Sequence, residues 1–217
     1  MKQTVILICF LILVVCSHSV SASVIIDYGN GDNDFGMNWV FLNPSTVAYD
    51  FAVGSSDLLL THMGIYDSSL EGLSYDHDTV VWDSTGMIIV SAVVLQGNEA
   101  QLFDGFRFNS VDSPVTLHAG QTYVVGARYT SGDDVAYSPG TWDPTANPHF
   151  SSVGANHAIF ESDSLEFPGS FNGTDPVWGP SFQYSVVPEP STYALFLCGI
   201  AIILFSKRKY MQIATRK

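Results

Sequence analysis

Residues 23–187 of the 217-residue sequence contain neither cysteine nor lysine. All three cysteines and six of the eight basic residues lie within residues 1–22 or 188–217. Residues 23–187 therefore contain no thiol that could form a disulfide or act as a nucleophile. Since a chain of roughly 165 residues buries about two-thirds of its unfolded surface, a hydrophobic core alone can hold this region together.

Positive charge is nearly missing from the same region. Arg107 and Arg128 are its only basic residues against twenty Asp and Glu residues, which gives a net charge of −18. Such a surface offers nucleic acid no basic footprint and repels acidic polysaccharide unless divalent cations bridge the two. Both arginines lie between aromatic or apolar neighbours, where a guanidinium is usually paired with a carboxylate or stacked on a ring. We expect structural roles for both.

Recognisable catalytic motifs are also missing. The sequence has neither a G-x-S-x-G elbow nor an H-E-x-x-H pair. A carboxylate pair could still hydrolyse a glycosidic bond, although twenty carboxylates make a suitable pair easy to find by chance. An extracellular glycan-active hydrolase is therefore the alternative to a non-enzymatic role. It requires two carboxylates about 5 to 10 Å apart at the floor of one cleft.

One glycine-rich loop has the composition of a calcium site. Asp27, Asp32 and Asp34 lie there together with two asparagines. Calcium prefers oxygen ligands on a flexible loop, but this loop lacks the spacing and final Glu of helical calcium loops. We expect either a structural calcium ion or a solvated acidic loop. His77, between two aspartates, is a weaker candidate for a transition metal because a polar turn explains it equally well.

Alternation of apolar and polar residues predicts an all-β fold. In residues 46–53 the large apolar side chains recur at every second position, which is the pattern of a half-buried strand. Residues 83–86, Asp-Ser-Thr-Gly, predict a hairpin turn with a left-handed glycine. Trp82 is expected in the core. The predicted strands are residues 46–53, 58–66, 79–83, 87–94, 105–109, 115–117, 121–130, 157–160 and 181–186.

No segment with helical periodicity competes with these strands, and residues 131–154 predict a long surface loop that carries Trp142, a candidate for stacking on sugars. Short strands between Gly, Pro, Asp and Ser turns favour an antiparallel β-sandwich of jelly-roll-like architecture. We place this domain at residues 23–186.

The amino end has the parts of a secretory signal peptide. Lys2 supplies the positive charge, residues 5–16 form an unbroken apolar run, and small polar residues follow. Twelve apolar residues are fewer than the roughly 20 that span a bilayer, which argues against a retained anchor. We predict a signal helix within residues 1–22 that is removed by cleavage after Ala22, with Ser19 as the alternative.

The carboxyl end, residues 187–217, combines a proline motif, an apolar stretch and a basic cluster. In order, these are Pro188, Glu189 and Pro190, then residues 193–205, then Lys207, Arg208 and Lys209. The prolines keep the motif extended, the apolar stretch can enter lipid as a single transmembrane helix, and the basic cluster stops transfer on the cytoplasmic side. Thirteen apolar residues span only about 20 Å of a core near 30 Å, which suits a transient anchor.

This tail resembles the PEP-CTERM sorting signal of Gram-negative bacteria that make extracellular polysaccharide. The extension over residues 210–217 is longer than in many such tails. The resemblance implies export through the secretion translocon and transient insertion in the inner membrane with the domain in the periplasm. It further implies processing near the motif by an exosortase, a membrane cysteine protease or transpeptidase, before the product reaches the cell surface or the medium.

Residues 27–184 resemble the uncharacterised β-sandwich domains that often precede this tail. The likeness rests on the segments LTHMGIYD (60–67), DHD (76–78), VWDSTG (81–86), GFRF (105–108), VTL (115–117), AGQTYVVG (119–126) and WGPSF (178–182). It implies a fold and a location but no reaction and no cofactor. We therefore expect a non-enzymatic surface or matrix protein that acts in adhesion or in an exopolysaccharide biofilm matrix.

Overall fold

The computed structural model describes residues 23–24, 37–40, 43–130, 134–137, 147–160, 162–168 and 177–188, together with four helical positions at 196, 199, 200 and 203. The described residues form thirteen strands: β1 (Ser23–Val24), β2 (Met37–Val40), β3 (Ser45–Val53), β4 (Leu58–Tyr66), β5 (His77–Asp83), β6 (Ile88–Val94), β7 (Gln101–Phe103), β8 (Phe106–Leu117), β9 (Thr122–Tyr129), β10 (Asp134–Tyr137), β11 (Phe150–Phe160), β12 (Val177–Trp178) and β13 (Pro180–Val186).

Two five-stranded sheets face each other. Sheet I has the strand order β1-β13-β4-β8-β7, and sheet II has the order β11-β3-β9-β5-β6. A third, small sheet joins β12, β10 and β2. All the paired strands are antiparallel. The antiparallel all-β fold predicted from the sequence is confirmed, and the two facing sheets are consistent with a β-sandwich.

The core lies between the two sheets and is rich in aromatic residues. Phe51 of β3 is fully buried, and its ring centroid lies 5.0 Å from that of Phe182 in the facing sheet. Tyr49 also reaches across, since its hydroxyl donates a hydrogen bond to the Pro180 carbonyl at 3.0 Å. Burying a large apolar side chain contributes roughly 1.5–3 kcal/mol. The alternation that predicted the inner face of β3 is therefore confirmed.

The outer face of sheet II is covered by a segment that the sequence pattern did not predict. Residues 162–168 cross this face, and Phe167 packs edge-on against Trp82 with ring centroids 5.6 Å apart. Trp82 is only 3% exposed, so it is buried as predicted, but under this segment rather than between the sheets. Gly126 makes room for the indole, because a Cβ there would lie 2.5 Å from the ring.

The predicted strand positions are largely confirmed, and the differences have local causes. The hairpin turn at 83–86 forms, with Gly86 at a φ of +90°. β8 runs unbroken across Pro114, because its pairing with β4 shifts at this point in a bulge that tolerates proline. The single surface loop expected over residues 131–154 was wrong, since β10 and the start of β11 lie within it.

The two ends of the domain are named here by the two ends of β4. At its start, Leu58 lies opposite Leu117 of β8 and Val186 of β13, and we call this end the tail pole. At its finish, Tyr66 lies opposite Phe106, and we call this end the loop pole. Loops 54–57, 84–87 and 118–121 belong to the tail pole, together with Asp83 at the end of β5, whereas loops 67–76, 95–100 and 104–105 belong to the loop pole.

The predicted signal, residues 1–22, and the basic cluster of the tail lie outside the described residues. Within the described part of the chain, no helix is both long and apolar enough to cross a membrane.

Candidate functional site

The point where the tail leaves the domain is held by a backbone hydrogen bond. The N–H of Val187 donates to the Asp57 carbonyl at 2.8 Å. The next residue, Pro188, is exposed. The proline motif therefore begins directly after a residue whose backbone is hydrogen-bonded to the domain. Glu189, Pro190 and the basic residues Lys207, Arg208 and Lys209 lie outside the described residues.

Asp57 connects this exit point to the neighbouring loop. Its Oδ1 accepts the backbone N–H of Ala119 at 2.8 Å, and its Oδ2 lies 3.3 Å from His118 Nδ1. These contacts lower the pKa of the Asp57 carboxyl, with the Ala119 N–H as the largest cause. The sequence did not reveal this role, because a Gly-Ser-Ser-Asp segment signals only a turn and His118 lies 61 residues away.

The amino-terminal strand lies beside the strand that leads to the motif. Ser23 of β1 is opposite Tyr184 of β13, and Val24 is opposite Gln183. Burial raises the pKa of Tyr184, whose hydroxyl is hydrogen-bonded to Asn147 at 2.9 Å. Ala22 lies outside the described residues, so cleavage after it stays a prediction. The first residue after that predicted cut nevertheless lies on the strand next to β13, which leads to the proline motif.

The candidate metal residues are not brought together among the described residues. Asp27, Asp32 and Asp34 lie outside them, so the calcium site stays a prediction. Elsewhere in the described part of the chain, no three His, Cys, Asp or Glu side chains are grouped as metal ligands. His77 is buried, with Nδ1 2.9 Å from the Arg128 carbonyl and its ring packed on an adjacent tyrosine. These contacts support a structural role for His77.

Arg107 has the structural role expected from the sequence. Its Nε donates to Asp67 Oδ2 at 2.8 Å, and both side chains are buried. The two terminal nitrogens donate to the carbonyls of Leu70, Asn98 and Ala100. One guanidinium thus joins loops 67–76 and 95–100 at the loop pole.

Arg128 differs from Arg107. Its Nε is buried, and no hydrogen-bond partner for that atom lies among the described residues. A pairing of the Arg128 guanidinium with a carboxylate stays a prediction. Trp142 lies outside the described residues.

Two surface clefts each contain two carboxylates. The first, of about 610 Å³, lies beside β5, β6 and β8 and is lined by Asp78 and Asp112 together with serine, asparagine and apolar side chains. The second, of about 580 Å³, lies at the loop pole and is lined by Asp76 and Glu99. Among the described residues, neither lining includes an aromatic ring for a sugar to stack on or a basic residue.

Comparison with known proteins gives no family assignment, since no protein-family model and no curated protein matches the chain. The resemblances of the tail to PEP-CTERM signals and of the domain to the sandwiches that precede them therefore stay predictions.

Proposed function

We propose that this protein is an exported cell-surface or extracellular-matrix protein that is sorted and processed through its carboxyl-terminal tail. Its role is non-enzymatic, in adhesion or in an exopolysaccharide biofilm matrix. The observation that supports this most directly is the exposure of Pro188 one residue beyond the hydrogen bond from Val187 to Asp57. A proline motif at the domain surface, followed by an apolar stretch and a basic cluster, is a segment that a membrane protease can reach.

The steps follow from the order of the elements along the chain. The amino-terminal signal directs the chain to the secretion translocon and is cut after Ala22. The domain then folds outside the cytoplasm, with no cysteine that would need oxidation. The apolar stretch holds the chain in the inner membrane while the basic cluster stays on the cytoplasmic side. An exosortase-type protease cuts near the proline motif, and the domain moves to the cell surface or the medium.

The charge of the domain is suited to a cation-rich matrix. Twenty carboxylates against two arginines leave residues 23–187 strongly anionic. Acidic polysaccharide associates with such a surface when divalent cations bridge the two. Extracellular polysaccharide reached through bridging cations is therefore the partner that we propose for the processed domain.

Fractionation of the cells that make the protein tests the sorting proposal. Alanines at Pro188, Glu189 and Pro190 should leave the protein in the inner-membrane fraction, whereas the unaltered protein reaches the surface or the medium. The matched control places three alanines at Tyr210, Met211 and Gln212, in the tail but outside its three elements. Equal distribution of the motif variant, the control and the unaltered protein would overturn the proposal.

A glycan-active hydrolase is the second candidate, because Asp78 and Asp112 line one cleft. Two carboxylates at opposite sides of a glycosidic bond can act as acid and base or as acid and nucleophile. If the domain is an enzyme, D78N and D112N should each abolish release of sugars from extracellular polysaccharide. Our leading proposal predicts no such release by the unaltered protein.

Three finer features are part of the proposal: the calcium ion, the jelly-roll-like connectivity and the two terminal helices. A stabilising calcium ion at Asp27, Asp32 and Asp34 should raise the melting temperature in millimolar calcium, since a ligand that binds only the folded state stabilises it. The triple Asn variant should lose that increase. An unchanged midpoint with calcium and with chelator would contradict the site.

A further inference from the structure

We propose that the tail pole faces the membrane while the chain is anchored, and that the loop pole is the face presented outward. This inference rests on the proposed membrane insertion of the tail. It adds an orientation, with the lipid surface as the partner of the tail pole, which follows from where the two ends of the domain lie and how little chain joins them to lipid.

Both ends of the domain leave at the same pole. Ser23 of β1 lies opposite Tyr184 of β13, and the two strands are antiparallel. At Ser23 the chain therefore enters β1 from the side of the tail pole, and after Tyr184 it runs towards Val186 and the same pole. Neighbouring strands are only about 4.8 Å apart. Before processing, the amino-terminal signal and the sorting tail are thus attached side by side.

The connection to the membrane is too short for the opposite orientation. Val187 is fixed to Asp57, and the apolar stretch begins at Tyr193. Six residues reach at most about 22 Å when fully extended. From Leu58 to Tyr66, β4 rises about 26 Å. A tail that starts at the tail pole therefore cannot pass along the domain and enter lipid at the loop pole.

The reach of the tail is limited because its exit point is fixed to the domain. Asp57 holds Val187 through its carbonyl and holds Ala119 through its carboxylate. The tail therefore leaves from a place that two loops define, rather than from a frayed strand end. Any slack between domain and membrane has to come from residues 188–192 alone.

The distribution of charge among the described residues favours the same orientation. The loop pole carries four carboxylates on its loops besides the paired Asp67, namely Glu71, Asp76, Glu99 and Asp104. The tail pole carries Asp57, Asp83 and His118. Where the bilayer contains anionic lipid, the more acidic pole is repelled more strongly. The exposed apolar side chains of Leu70 and Tyr75 then face away from the membrane, where an extracellular partner can meet them.

Energy transfer from the domain to the lipid surface tests the orientation. The chain with its tail intact, purified from an exporting host that lacks an exosortase and with its native cysteines replaced by serine, is reconstituted in vesicles of phosphatidylethanolamine and phosphatidylglycerol that contain an acceptor-labelled lipid. A donor dye is attached at S55C in the tail pole or at S74C in the loop pole, both exposed serines. M87C and L70C form a second pair at exposed positions, should one label disturb folding.

Because β4 alone separates the two poles by roughly 26 Å, we expect the tail-pole label to transfer about twofold or more efficiently. A chain that ends at Val187 is the control and should lose transfer from both positions. Equal transfer from the two poles, or greater transfer from the loop pole, would overturn the orientation while leaving the membrane tail intact. No transfer from either label in the full chain would contradict the proposed membrane insertion and the orientation with it.

Discussion

The two poles of the domain are each organised by an aspartate next to β4, and the two aspartates differ in burial. Asp57 directly precedes the strand and Asp67 directly follows it. The Asp67 side chain is 2% exposed and pairs with Arg107 at 2.8 Å. The Asp57 side chain is 38% exposed and faces His118 at 3.3 Å. The same residue type thus forms a buried ion pair at the loop pole and a partly exposed contact at the tail pole.

Because of this difference in burial, we expect loss of the Asp67 carboxylate to affect the stability of the domain more than loss of the Asp57 carboxylate. A buried ion pair does little for stability compared with apolar packing, but removing one partner leaves a costly unpaired charge. An exposed pair is screened by water and contributes little. We infer that the loop pole is rigid because its loops share Arg107, whereas the contacts at the tail pole chiefly position the exit of the tail.

The largest expected effect is at the loop pole. Asp67→Ala should lower the free energy of unfolding by about 3–5 kcal/mol, because it leaves the Arg107 guanidinium buried without its carboxylate. Asp57→Ala should have a much smaller effect, since its carboxylate is exposed. Urea denaturation of the two variants measures this difference. Equal losses of stability in the two variants would contradict the proposed difference between the poles.

Two glycines give a smaller, matched contrast. Gly72 at the loop pole has a φ of +113°, and a Cβ there would lie 2.6 Å from the backbone of Gly97. Gly120 at the tail pole has a φ of +73°, but nothing lies within 4 Å of its Cβ position. Gly120→Ala should cost about 1 kcal/mol from backbone strain alone, and Gly72→Ala roughly 2–4 kcal/mol because a clash is added. Thermal unfolding of the pair would contradict this reading if Gly120→Ala were the more harmful.

The smallest expected effect is the pH dependence of the Asp57 contact. Hydrogen bonds lower the pKa of Asp57 in the folded state. The stability that the carboxylate contributes is therefore present above its ordinary pKa of about 3.9 and is lost as the pH falls through the lowered folded-state pKa. The difference in melting temperature between the unaltered protein and Asp57→Asn should be constant near neutral pH and shrink below about pH 4. A difference that grows in acid would contradict the assignment.

Local patterns predicted most of the strands but not the contacts between distant ones. The alternation in β3 and the Asp-Ser-Thr-Gly turn are properties of a few neighbouring residues, so the sequence carries them directly. β7 has only three residues, and all are exposed, which leaves no pattern to detect. The packing of residues 162–168 over Trp82 and the contact between Asp57 and His118 each join residues that are far apart in the chain. The predicted sorting motif is a contiguous segment, so its pattern can be recognised without knowledge of the fold.

The intact mass of the protein recovered from the cell surface or the medium tests the central claim most directly, because it reports both ends of the chain at once. The account predicts a product that begins at Ser23 and lacks residues 207–217. A product that keeps the basic tail, or one that keeps residues 1–22, would contradict it.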